Sequence, residues 1–114
     1  MVMFGTRAVG DGAPCFITYE AGPTHNGLES AKQLVALAAQ AGADAVKFQL
    51  FDADLLLSKE AGLVEYQKSA ATSAHDLLRI LQLSVDQLAE LVSFATPLEM
   101  PVIITPFSIP LVKP

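Results

Sequence analysis

The sequence has a single cysteine, no tryptophan, and only seven lysines and arginines among 114 residues. One cysteine excludes an intramolecular disulfide and any multi-cysteine zinc site. Cys15 stands among Pro14, Phe16 and Ile17, strand-like company that predicts a buried structural thiol rather than a nucleophile. Seven basic against twelve acidic residues leave a net charge of -5, the wrong sign for a nucleic-acid groove or a polybasic membrane patch. No apolar run reaches transmembrane length, and residues 1–7 lack a basic start followed by an apolar stretch. Neither a span nor a signal peptide is therefore expected, and a reducing cytoplasm is the default setting. What the chain has in quantity is apolar surface. With 52% hydrophobic and 17% charged residues it is composed to bury a core.

Residues 1–13 show no periodicity and read as a loop. Residues 15–19 form a short apolar, β-branched and aromatic run, a first strand, which Gly22, Pro23 and Gly27 then interrupt with a structured loop. From Leu28 the period turns helical, with Ala31, Leu34, Val35, Ala38 and Ala41 on one stripe and Gly42 at the position of a left-handed cap. Residues 45–51 are a second strand. Residues 52–72 read as a long excursion with at most one helical turn, the kind of connection that often serves a site. Ser73-Ala74-His75-Asp76 and Ser84-Val85-Asp86-Gln87 each fit a capping box ahead of a helix. The second of these helices stops near Pro97, and residues 101–105 make a third strand. Strands alternating with amphipathic helices specify a parallel sheet with right-handed crossovers, in an open doubly wound sheet or a (β/α)8 barrel.

Strands covered on both faces should be nearly continuous hydrophobic runs. Glu20, Lys47, Gln49 and Thr105 break that rule, all toward the carboxyl ends of their strands. In parallel α/β folds that edge binds ligands. Lys47 suits an anionic phosphate or carboxylate, and Glu20 a proton transfer or a developing cation. The plainer alternative is a buried Glu20–Lys47 ion pair that only sets register. His25, in the loop after the first strand, is a loop hydrogen-bonding residue or a site residue. His75 is expected on the solvated side of its helix, and Asp52 and Asp54 are expected to solvate their loop. Tyr66 and Gln67 are weak candidates for ligand contact.

Residues 20–27 (Glu-Ala-Gly-Pro-Thr-His-Asn-Gly), Ala41-Gly42-Ala43-Asp44, Ala45-Val46-Lys47-Phe48-Gln49, Leu81-Gln82-Leu83-Ser84 and Thr105-Pro106-Phe107-Ser108 occur in the order found in the sialic acid synthases. The chain resembles the N-terminal part of that N-acetylneuraminate synthase family over residues 16–108. Thr24 stands where the family usually has Asn, Ile104 where it has Ser, and Ser108 where Asp is common. The resemblance implies a partial (β/α)8 TIM barrel: its first three parallel strands with intervening helices, one truncated domain over residues 1–114. It implies condensation of phosphoenolpyruvate with an N-acyl amino sugar such as N-acetylmannosamine, giving a nine-carbon 2-keto sugar acid and phosphate. Glu20 then matches the catalytic glutamate, Lys47 and Thr105 match phosphoenolpyruvate contacts, and Gln49 matches a polar substrate-site position. The family's Mn2+ or Mg2+ would activate the sugar aldehyde, and neither His25 nor His75 matches its ligands.

Three strands cannot close a barrel, so the chain alone is expected to be catalytically incomplete. Self-association, or docking onto the missing barrel half, is expected to cover its open hydrophobic edge; without either, the chain is expected to aggregate or stay partly molten. Two other readings stay open: a non-catalytic binding or assembly module, and an aldolase-type barrel in which Lys47 forms a Schiff base.

Overall fold

Residues 1–13 are not a loop. In a computed structural model, which describes residues 1–57 and 73–112, they contain an antiparallel hairpin of β1 (Val2–Phe4) and β2 (Arg7–Val9). Gly5 supplies the left-handed turn residue at φ 61°. Three-residue strands are too short to show an alternation, and what holds the hairpin lies far away in sequence. Phe4 meets Phe16 edge-on at 5.4 Å between ring centroids. Arg7 pairs with Asp44 at 3.2 Å, and Gly5 lies close against the Pro101 ring.

Phe16, Asp44 and Pro101 lie one or two residues before the three strands of the second sheet, so the hairpin lies across that sheet's amino-terminal end. Asp44 also accepts the Ile17 N–H at 2.8 Å. Removing that acceptor should matter more than removing the Arg7 charge, because exposed ion pairs contribute little. Asp44→Ala is expected to lower the unfolding free energy by about 1–2 kcal/mol and Arg7→Ala by under about 0.5 kcal/mol, measured by urea denaturation.

The second sheet is parallel, in the order β3 (Thr18–Glu20), β4 (Ala45–Leu50), β5 (Val102–Pro106). This strand β3 therefore starts three residues later than the expected 15–19 and ends one residue later, because pairing starts where Thr18 meets Ala45. Cys15 falls outside it and is exposed, which overturns the expected buried thiol. Helix α1 (Leu28–Gln40) joins β3 to β4, burying Ala31, Val35 and Ala38, and Gly42 follows it at φ 80°. A four-residue helix α2 (Ala53–Leu56) follows β4. Tyr66 and Gln67 lie outside the described residues.

Helix α3 (Ala74–Leu81) starts where Ser73 Oγ accepts the Asp76 N–H. Helix α4 (Val85–Ala95) starts with a complete box: Ser84 Oγ accepts the Gln87 N–H, and Gln87 Oε1 accepts the Ser84 N–H. Pro97 sits in a 3-10 turn (Thr96–Leu98) that ends at Glu99 in the left-handed region.

Side chains of β4 alternate between two surroundings. Val46, Phe48 and Leu50 are buried with Val35 and Ala38 of α1 and Leu88, Leu91 and Ala95 of α4. Lys32 bridges the two helices at 2.7 Å from Glu90 and 3.3 Å from Glu29. The Glu90 hydrogen bond, reinforced by Glu29, raises its pKa. The opposite face of the sheet is accessible. It is mostly polar: Thr18, Glu20, Lys47, Gln49 and Thr105 lie on it, together with Ala45 and Ile103.

Candidate functional site

Register places the polar residues side by side. Glu20 pairs across the strands with Lys47, and Gln49 with Thr105. Cross-strand partners share a face, as do residues two apart on one strand, so all four lie on the accessible face toward the carboxyl ends. Lys47 Nζ is 2.8 Å from Glu20 Oε2. This pair is not the buried register lock considered from the sequence. The Lys47 side chain is 36% exposed and that of Glu20 is 52% exposed. A pair so solvated contributes little to stability. It does keep an ammonium and a carboxylate together at the carboxyl ends of adjacent strands.

The loop after β3 is tied to the middle of β4. Both Ala21 N–H and Gly22 N–H donate to the Lys47 carbonyl, at 3.0 and 3.1 Å. Thr24 folds back on the loop, its hydroxyl donating to the Ala21 carbonyl at 2.6 Å. Gly22 adopts φ 47°. A Cβ at this position would stand 3.4 Å from Glu20 Oε1 and 3.5 Å from Gln49 Nε2. Gly22 is thus the floor between two site side chains. Its place after Ala21 and before Pro23 signalled a turn, but only the folded chain shows what the turn touches. At the other edge, Phe107 N–H donates to the Leu50 carbonyl at 3.0 Å, so β4 anchors the loops on both sides of it.

His25 belongs to the loop, not to the accessible face. It is 2% exposed, its Nδ1 accepts the Gly27 N–H at 3.3 Å, and its ring lies 6.1 Å from that of Phe48. Accepting at Nδ1 places the proton of the neutral ring on Nε2. Burial holds the imidazole below its ordinary pKa of 6.5. Well above pH 6.5 the ring is neutral whether the chain is folded or not. Below it the unfolded chain takes up a proton that the folded chain resists, so stability should fall as the pH drops toward the folded value. Unfolding free energies measured between pH 7.5 and about 5 should decline in the wild type and decline less steeply in His25→Gln. Equal slopes would refute this.

His75 departs further from expectation. It is buried, at 2% exposure, and its Nε2 lies 2.7 Å from Asp54 Oδ1. The helical pattern put it on a solvated face because the pattern could not show α2 packing there. Asp52 caps α2, accepting the Asp54 N–H at 2.9 Å. Both aspartates therefore do more than solvate a loop. Among the described residues no three His, Cys, Asp or Glu side chains group so as to hold a metal ion. No described helix is long and apolar enough to cross a membrane. An apolar groove that includes Leu50, Leu88, Val92, Ile104 and Leu111 opens between α4 and β5. It lies on the helix side of the sheet, away from the four polar residues.

A family model described as the NeuB family matches residues 34–113. The chain is 46% identical over 84 residues to the N,N'-diacetyllegionaminic acid synthase of Legionella pneumophila, covering 70% of this chain and 24% of that protein. It is 35% identical over 92 residues to the human N-acetylneuraminate-9-phosphate synthase, covering 78% and 26% respectively. A crystal structure of the N-acetylneuraminic acid (sialic acid) synthetase of Leptospira borgpetersenii, in complex with citrate, matches with a TM-score of 0.80 at 25% identity. That match covers 97% of this chain and 35% of the other. The chain thus spans about a quarter of the length of these curated relatives.

Proposed function

The chain belongs to the NeuB family, and from that premise we propose that its polar strand rim is the phosphoenolpyruvate-holding part of a sugar-acid synthase site. The observation that carries this reading is the register: Glu20 beside Lys47 and Gln49 beside Thr105, on one accessible face of three parallel strands. Lys47 supplies the point charge for the anion, the Thr105 hydroxyl and the Gln49 amide supply directed hydrogen bonds, and Glu20 stands 2.8 Å from the ammonium.

In the proposed reaction the enol carbon of phosphoenolpyruvate attacks the aldehyde of an N-acyl amino sugar such as N-acetylmannosamine. Water adds to the resulting oxocarbenium-like centre, phosphate is released, and a 2-keto sugar acid forms. Glu20 steadies that centre or takes the proton of the water. The family's Mn2+ or Mg2+ belongs to the proposal as an activator of the aldehyde. The described residues do not supply a donor set for it, so no step assigned to this chain passes through the metal.

The same proposal places the chain as the first three strands of a (β/α)8 barrel in a cytoplasmic enzyme. The apolar groove beside β5 favours association with further strand–helix units, in an oligomer or with the rest of a barrel, before turnover. A Schiff-base role for Lys47 has less support, because its amine is solvated and paired rather than desolvated.

The test is a titration of the 114-residue chain with phosphoenolpyruvate, followed by NMR at Lys47, Gln49 and Thr105. Saturable shifts at these residues, without turnover when N-acetylmannosamine and Mn2+ are added, are expected. No saturation would overturn the binding role. Sustained 2-keto acid formation would overturn the incompleteness of the isolated chain.

A further inference from the structure

Helix α2 has four residues, too few to be stable without tertiary support. Two side chains from the α3 region provide it. Gln82 Oε1 accepts the Ala53 N–H at 3.0 Å, which satisfies a donor that the first residue of a helix leaves without an intrahelical partner. His75 reaches Asp54, the next residue, at 2.7 Å.

Both anchors are themselves fixed. His75 is 2% exposed, and Leu83, adjacent to Gln82, is 1% exposed in the core. Only Phe51 and Asp52 separate Ala53 from the end of β4, and Phe51 is buried. The position of α2 therefore sets where the last residues of β4 lie, and Gln49 is next to the last of them.

We propose that Gln82 and His75 are positioning residues: by gripping α2 they hold the carboxyl end of β4 so that Gln49 keeps its place beside Gly22 and Thr105 on the accessible face. This deepens the reading of the rim as a phosphoenolpyruvate site and rests on it. Neither residue lies on the accessible face, so their effect passes through the β4 backbone. A site whose side chains are held by packed, hydrogen-bonded supports loses affinity when the supports loosen, even though every ligand contact remains.

Gln82→Met keeps the side-chain length and removes the acceptor, whereas Gln82→Glu keeps an acceptor. Three quantities distinguish them in the 114-residue chain: hydrogen exchange at the Ala53 amide, the side-chain amide resonance of Gln49, and phosphoenolpyruvate affinity. In Gln82→Met, Ala53 exchange should rise and affinity fall, each about tenfold, the Gln49 resonance should move, and the melting temperature should change little. Gln82→Glu should restore all three. His75→Phe, which fills the ring volume without the bond to Asp54, should move the Gln49 resonance as Gln82→Met does, and it provides the readout if Gln82→Met does not fold.

An unmoved Gln49 resonance in Gln82→Met and His75→Phe, or equal damage in Gln82→Met and Gln82→Glu, would overturn the proposal. A wild type that does not bind phosphoenolpyruvate would instead overturn the reading of the rim, while the Gln49 resonance would still decide the positioning role.

Discussion

Lys47→Met should weaken phosphoenolpyruvate binding by about a hundredfold, the loss expected when one charge-assisted contact to a multiply charged anion is removed from a largely solvated site. The same change should hardly alter folding. Its ion pair with Glu20 is 36% and 52% exposed on its two sides, and a carboxylate left alone there is hydrated, so under about 0.5 kcal/mol of stability is at stake. That separation makes the measurement decisive. Isothermal titration should show the affinity collapsing while the urea midpoint stays near the wild-type value. Thr105→Val, which removes one neutral donor beside Gln49, should cost about tenfold by comparison. A Lys47→Met chain that binds like the wild type would remove the main argument for an anion at this rim.

The largest effect on stability is expected from Phe48→Ala. Phe48 is 0% exposed, lies in the core between the sheet and the helices, and its ring centroid is 6.1 Å from that of His25. Truncating a buried phenylalanine costs about 3–5 kcal/mol, because the lost burial is compounded by a cavity that neighbours fill only in part. Single domains have about 5–15 kcal/mol in all, so such a loss is a large share of the total. The variant should therefore unfold at a much lower urea concentration, read by circular dichroism, with His25 losing its protection from solvent as well. A destabilisation below about 1 kcal/mol would mean that the helices do not pack on β4 as described.

Elements with many residues in one period are legible in the sequence. The stripe of Ala31, Val35 and Ala38, the Ser84–Gln87 box and the polar breaks at Glu20, Lys47, Gln49 and Thr105 are local patterns. Each states which residues must share a face. Contacts between distant segments were not legible. The β1–β2 hairpin is held by Phe16, Asp44 and Pro101, and nothing within its own few residues announces them. Cys15 was expected inside because its neighbours are apolar, yet strand pairing begins only at Thr18 and leaves it outside. His75 was expected in solvent because its own helix gives no sign of α2 lying against it.

The sequence by itself determined the parallel α/β order, the helix starts and the residue types brought to the carboxyl ends of the strands, since periodicity and capping act within a few residues. Only the tertiary structure decided the register that seats Glu20 on Lys47 and Gln49 beside Thr105, the use of Gly22 as a floor, and the grip of Gln82 and His75 on α2. Those depend on which segments meet across the fold, and a pairing energy between remote segments leaves no mark on the local pattern of either one.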